Sequence, residues 1–225
     1  MTPGAPRTPT RAILVGDGVA WLAANAVPAS HAVVTSLPDV SEMRTMTFDE
    51  WRDWFVGTAA LVCAQTAETA AAVFYQTDVK VDGHWVDKAH LVALGAERAG
   101  AACLFHKIVC RAPPGTATFG RPAYAHLLAF SRGLRLPVEE STPDVLPELG
   151  EMPWPRAMGT AACEEVCRFL LRSTACRVVV DPFCGHGTAL AVANAWGLDA
   201  LGIERSAKRA GKARDLRFVR GVGIT

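Results

Sequence analysis

Asp181, Gly185, Gly187 and Glu204 are the residues of this chain whose types and spacing suit chemistry on a ligand. The first three lie in Val178-Val179-Val180-Asp181-Pro182-Phe183-Cys184-Gly185-His186-Gly187-Thr188, close to the end of the 225 residues. An apolar β-branched run there leads into an acid, two glycines and an alanine-rich segment from Ala189 to Trp196. A second apolar run ends in Glu204. Glycines let a backbone approach a ligand closely, and an acid after the second run is placed for ribose hydroxyls. This is the outline of a β-α-β unit that holds a nucleoside. It stands at the C-terminus, where nucleotide-binding units usually stand first.

The elements that must position this unit alternate in kind. Residues 1–10 are rich in Pro, Thr and Gly and read as a flexible tail, which leaves 11–225 as a single domain. Arg11 to Val15 reads as a strand ending at Gly16-Asp17-Gly18, followed by a short helix through Trp21 and Asn25. His31 to Thr35 is a second strand, stopped by Ser36-Leu37-Pro38-Asp39. Thr47 begins a long helix with Asp49 and Glu50 in its first turn, where acids meet the positive end of the helix dipole. Trp51, Trp54, Phe55, Ala59 and Val62 recur along it at near-helical spacing and read as core. Ala71 to Gln76 is a third strand, and Lys88 to Ala99 a helix closed by Gly100. Ala102 to Cys110 and Ala123 to Phe130 form an antiparallel hairpin with a long tip. Leu134 to Pro155 is a proline-rich, acidic connector without periodicity. A helix from Thr160 to Arg172 leads into the strand that opens at Arg177. The alternation argues for an α/β protein, one largely parallel sheet with helices on both faces.

Composition bounds the function. Half the residues are apolar and a fifth charged, ordinary for a globular protein, and the length suffices for one α/β domain with a substantial core. A formal net charge of +1 names no partner, so nucleic-acid contact requires a local patch. Arg205, Lys208, Arg209 and Lys212 share one helical stripe, suited either to phosphates or to a solvated face. No apolar run approaches the ~20 residues of a membrane span. The first residues lack the apolar core of a secretory signal. A cytoplasmic or organelle-interior location without membrane contact is expected. The 7 cysteines form no C-x-x-C pair and no cluster with histidine. They read as buried free thiols, and no metal site is expected.

Asp181-Pro182-Phe183-Cys184-Gly185-His186-Gly187-Thr188 resembles the D-P-F-x-G-S-G-T cofactor motif of the S-adenosylmethionine-dependent amino-methyltransferases of nucleic acids, in their circularly permuted order. Gly202-Ile203-Glu204 is similar to their G-I-E, whose acid binds ribose. Ala12-Ile13-Leu14-Val15-Gly16-Asp17 resembles their G-D segment, whose Asp lies near the adenine. Val33-Val34-Thr35-Ser36-Leu37-Pro38-Asp39 stands where they carry the catalytic S-P-P-Y or D-P-P-Y, and Arg121 to Phe130 is similar to the strand after their variable hairpin. The likeness runs from Arg11 to about Leu216. It implies a Rossmann-like methyltransferase fold. It further implies that Asp17, Thr35, Asp181, Phe183, Gly185, Gly187, Thr188 and Glu204 bind S-adenosyl-L-methionine, and that Ser36, Pro38 and Asp39 form the catalytic segment.

Methyl transfer requires an amine to be held near the methyl group while its lone pair develops. In the resembled enzymes the first residue of the catalytic motif and the following carbonyl accept hydrogen bonds from the amine, which here assigns Ser36 and the Leu37 or Pro38 carbonyl. Leu37 replaces the first proline, and Asp39 stands where the aromatic that stacks on the base belongs. Phe48, Trp51 or Trp85 are candidates for the missing ring. Asp39 is either an acceptor for the target or a carboxylate that caps the turn. Asp78 to Lys88 reads as a rim loop for substrate contact or a solvated loop, and His106 and Lys107 as a polar edge or a substrate face.

The connector is short for a target-recognition insert, so RNA is expected ahead of DNA, with a small amine third and with a partner protein as an aid to target recognition. A catalytically silent module of the same fold, used for binding, is the alternative that the altered catalytic segment raises.

Overall fold

In the computed structural model residues 7–225 are described, so residues 1–6 of the expected tail lie outside the described residues. Arg7 and Thr10 are both hydrogen-bonded to the Asp199 carboxylate. The chain runs β1 (Arg11–Val15), α1 (Gly18–Ala24), β2 (His31–Thr35), α2 (Phe48–Gln65), β3 (Ala72–Gln76), β4 (Val79–Val81), β5 (His84–Val86), α3 (Lys88–Arg98), β6 (Ala102–Cys110) and β7 (Tyr124–Ser131). It continues through β8 (Val145–Leu146), α4 (Thr160–Ser173), β9 (Val178–Asp181), α5 (Thr188–Ala195), β10 (Asp199–Glu204) and α6 (Ala207–Asp215).

Local chemistry explains most of the helix starts. The Asp17, Asp87 and Ser206 side chains accept from the first-turn amides of α1, α3 and α6. Thr47 and Glu50 close a reciprocal capping box at the start of α2, which satisfies two amides that the helix itself leaves without partners.

Eight strands form one sheet in the order β1-β10-β9-β2-β3-β7-β6-β8. The pairs β1–β10, β10–β9, β9–β2 and β2–β3 are parallel, whereas β7 is antiparallel to both β3 and β6. The expected hairpin is therefore present as β6–β7. The connector is not featureless: its Val145–Leu146 adds an edge strand parallel to β6. Alternate strand residues face opposite cores. Val34, Val73, Leu127 and Val179 pack with α4, α5 and α6, and Val33, Phe74, Leu128 and Val180 pack with α1, α2 and α3. This double burial is why these strands read as continuous apolar runs rather than as polar–apolar alternation. No helix among the described residues is long and apolar enough to cross a membrane. The expectation of buried thiols fails at Cys103, which is exposed on β6 beside a register shift.

The order has one consequence for the site. β9, near the end of the sequence, lies at the sheet centre between β10 and β2. The carboxyl ends of these parallel strands open side by side, the position where open α/β sheets bind ligands.

Candidate functional site

Asp181 closes β9 and is buried. Its Oδ1 accepts from the Thr35 hydroxyl at 2.7 Å and from the Phe183 amide at 3.0 Å. Burial pushes its carboxyl up to about 7; the two hydrogen bonds oppose that rise and nearby Glu204 adds to it. No basic side chain forms an ion pair with it among the described residues. The turn that follows needs its glycines: Gly185 and Gly187 have φ of 54° and 77°. The Gly185 amide donates to Glu204 Oε2 at 3.1 Å. Glu204 Oε1 accepts from the Ser206 amide at 2.7 Å and from Arg209 Nε at 2.9 Å. The segment after β1 meets the segment after β9 at Gly18, where a Cβ would stand 2.0 Å from the Pro182 carbonyl oxygen.

A cleft over these strand ends is lined on one side by Ser36, Leu37 and Pro38, and on the other by Asp181, Phe183, Gly185, Thr188 and Glu204. Eight of the residues named from sequence thus share one wall or the other. Thr35, Gly187 and Asp17 do not line it. Thr35 holds Asp181, Gly187 begins α5, and Asp17 caps α1 while facing Arg205 at 3.6 Å.

Residues that sequence reasoning passed over form the roof. Trp154 stacks on His186 with ring centroids 4.7 Å apart, and Arg156 reaches across to Glu42 at 2.7 Å. Both belong to or follow the connector. The available signal was a tryptophan held between Pro153 and Pro155, whose fixed φ stiffens the backbone around it.

The wall formed by Ser36, Leu37 and Pro38 continues into Asp39, which is buried. Its Oδ1 accepts from the Ser41 amide, while Oδ2 receives Lys88 Nζ at 2.8 Å and an Arg121 guanidinium nitrogen at 3.2 Å. Burial alone would raise this carboxyl. The Lys88 ammonium, the Ser41 amide and Arg121 outweigh it and hold the group at about 2. Asp39 is thus a capping residue and an ion-pair partner together. Pro38 contributes its carbonyl to Trp51 Nε1 at 3.1 Å, whereas the Leu37 carbonyl makes no hydrogen bond among the described residues.

None of the three candidate rings lines the cleft that holds Ser36. Trp51 is fully buried in the core, and Phe48 and Trp85 line a separate groove on the outer side of α3. Trp85, half-exposed on the β4–β5 ribbon, lies under Lys80. Lys107 is buried and donates to the Thr142 and Pro143 carbonyls, while His106 bonds His126 at 2.9 Å. Asp78, Asp87 and His126 place ligand atoms within 4.8 Å of one another. The first two, however, already cap the α3 amides of Lys88 and His90. Of the basic stripe, Arg209 is engaged by Glu204 and Arg205 faces Asp17.

No protein-family model and no curated protein matches the sequence. Solved structures do. TTHA0409 of Thermus thermophilus, assigned as a DNA modification methylase and solved with S-adenosyl-L-methionine, superposes with a TM-score of 0.68 at 23% identity, over 92% of this chain and 92% of that one. The PvuII cytosine-N4-specific DNA methyltransferase gives 0.71 at 16% identity, covering 92% of this chain and 86% of its own. M1.HpyAVI, in its S-adenosylmethionine complex, gives 0.59 at 14% identity over 92% and 98%. The glycine turn, the central position of β9 and these superpositions agree: the chain has the S-adenosylmethionine-dependent methyltransferase fold.

Proposed function

We propose that this protein is an S-adenosylmethionine-dependent methyltransferase acting on an exocyclic amine of a nucleic-acid base, with DNA ahead of RNA. The observation that carries the reading is the shared cleft, whose one wall is the glycine turn and Glu204 and whose other wall is Ser36-Leu37-Pro38. The residues suit the cofactor. Glu204 offers carboxylate oxygens to ribose hydroxyls, and the glycines let the backbone come close. Asp181 is a buried carboxyl with no cationic side chain beside it, which suits a cationic ligand. The cofactor, when bound, supplies an electrophilic methyl group. Asp17 faces Arg205, which lines the cleft, while Thr35 and Gly187 position the turn.

On the acceptor side Ser36 Oγ and the Leu37 carbonyl accept the amine hydrogens and aim its lone pair. The Pro38 carbonyl is spent on Trp51 and serves to fix the segment. Asp39 acts as a positioning residue through Lys88 and Arg121. The strand order supports a permuted chain, since the strand bearing the cofactor turn is central while the first strand is an edge. The shortness of the connector gives no reason to prefer RNA. The two neighbours described as DNA methylating enzymes are covered to 86% and 92% by this chain, so they carry little extra length.

Calorimetry with S-adenosylmethionine followed by labelled methyl transfer to separate DNA, RNA and metabolite pools tests the reading. Label in DNA supports it, label in RNA alone reverses the order, and label only in metabolites moves the acceptor outside nucleic acid. Absence of cofactor binding would remove the enzyme reading. Binding with every pool unlabelled would favour a silent module.

A further inference from the structure

Beside the cleft lies a smaller cavity that shares Ser36, Leu37 and Arg156 with it and is further lined by Gln76, Lys88 and Arg121. Gln76 is 1% exposed, and its Nε2 is the one buried side-chain nitrogen or oxygen among the described residues without a hydrogen-bond partner. Every other buried polar group around it is engaged: Asp39 with Lys88, Asp181 with Thr35, His126 with Asp78. A buried amide donor left unmet lowers stability and calls for an explanation. Its place supplies one: the side-chain amide lines the smaller cavity, and a half-turn about its last torsion carries Nε2, buried in this structure, into that cavity. Gln76 is the last residue of β3, paired to β2 through Thr35 and Phe74, so it stands two residues beyond Phe74 as Leu37 stands two beyond Thr35.

We infer that Gln76 is a specificity-determining residue that donates from its side-chain amide to the hydrogen-bond acceptor next to the amine of the target base. The inference rests on the methyl-transfer reading for the position of that amine. Amino bases with an amidine edge, cytosine and adenine, carry a ring nitrogen acceptor beside the amino group. Two acceptors, Ser36 Oγ and the Leu37 carbonyl, meet the amine, and one donor, Gln76, meets the ring nitrogen. Bases taken out of a stack are read along this Watson–Crick edge. Asp39 leaves no ring at the usual stacking position, so edge reading carries more of the recognition here. A site built to hydrogen-bond a substrate atom rejects an analogue that lacks it, because a buried group then stays unpaired.

The test is equilibrium binding of short single-stranded DNA carrying one cytosine or one adenine, against the same strands with 3-deazacytosine or 1-deazaadenine. Wild type, Gln76→Leu and Gln76→Glu are compared, with thermal melting and S-adenosylmethionine affinity measured for each. Wild type should bind one parent strand about 10-fold more tightly than its deaza form, the loss expected for one buried hydrogen bond. Gln76→Leu should bind both forms equally weakly, keep its cofactor affinity and melt no lower than wild type, since the unmet donor is gone. Gln76→Glu, with a carboxylate facing the ring nitrogen, should disfavour the parent strand. Equal binding of parent and deaza strands by wild type, no measurable strand binding, or a preference that survives Gln76→Leu would overturn the inference. So would a lower melting temperature in Gln76→Leu with parallel loss of cofactor, the mark of a purely structural glutamine. Failure of the methyltransferase reading shows separately, as wild type that neither binds S-adenosylmethionine nor transfers methyl.

Discussion

Asp181 and Asp39 follow or close neighbouring parallel strands, β9 and β2, and both are buried, yet their carboxyl groups titrate in opposite directions. Asp181 meets a hydroxyl and an amide and is pushed up to about 7; Asp39 meets Lys88 and Arg121 and is held at about 2. Burial raises both carboxyls, and the opposite outcome at Asp39 comes from the Lys88 ammonium, the Ser41 amide and Arg121 that reach it. In the glycine-turn half Glu204 is met by Arg209, whereas the Asp181 carboxyl has no cationic partner and is the group that a cationic ligand would complete. The acceptor half has already matched its carboxylate internally and leaves neutral acceptors, Ser36 and Leu37, toward the cleft. One half awaits a charge and the other awaits hydrogen bonds.

The strongest way to break this contrast is to unpair the acceptor half. Asp39→Ala strands the Lys88 ammonium, which is 3% exposed, and should cost about 3–5 kcal/mol in urea unfolding. Adding Lys88→Met should return much of that loss, because an apolar side chain needs no partner in the same space. If the double variant is as unstable as Asp39→Ala, Asp39 matters chiefly as the cap of Val40–Glu42.

Asp181→Asn sharpens the other half through pH. The folded carboxyl sits near 7 against 3.8 for an ordinary aspartate, so the folded state retains a proton there that the unfolded chain has released. Stability therefore falls as pH rises through this window, by about 3 kcal/mol between pH 4 and pH 7 from this group. Asp181→Asn should flatten that decline and melt higher than wild type at pH 8. Its affinity for S-adenosylmethionine should lose the rise that wild type shows as pH passes 7. An unchanged pH profile of melting would mean that Asp181 is ionised in the free protein.

Glu204→Ala removes the carboxylate proposed for ribose and should weaken cofactor binding about 10- to 100-fold by calorimetry, the range of hydrogen bonds to charged groups. Ser36→Ala is the mildest change. It should lower kcat/KM for the amine about 5- to 10-fold while the cofactor Kd stays put, as expected for one neutral hydrogen bond. A shift of cofactor affinity in Ser36→Ala would erase the division between the two halves.

Much of this frame was readable without coordinates. Arg11–Val15 and His31–Thr35 begin and end where the apolar runs do, because glycine, serine and proline stop them locally. Thr47 and Glu50 announce α2 for the same reason, a cap being a contact between near neighbours. The glycine turn was legible because Asp181, Gly185 and Gly187 lie within a few residues of one another. Lys88 was not. It begins a helix in a polar stretch and reads as solvated, yet its ammonium is buried against an acid 49 positions earlier. Trp154 and Gln76 were hidden likewise, one in an aperiodic connector and the other as the last residue of an apolar run.

The amino-acid order alone determined the long strands, the helices, most of their caps and the left-handed glycine turn, since each depends on neighbours in sequence and on backbone sterics, whereas the short strands β4, β5 and β8 were not legible in it. Only the tertiary structure decided that Thr35 would hold Asp181, 146 residues away, and that Lys88 and Arg121 would converge on Asp39. Those contacts depend on β9 seating between β10 and β2 and on the register of β2 against β3. Such long-range pairings are selected by burial on both faces of the sheet, and no local pattern encodes them.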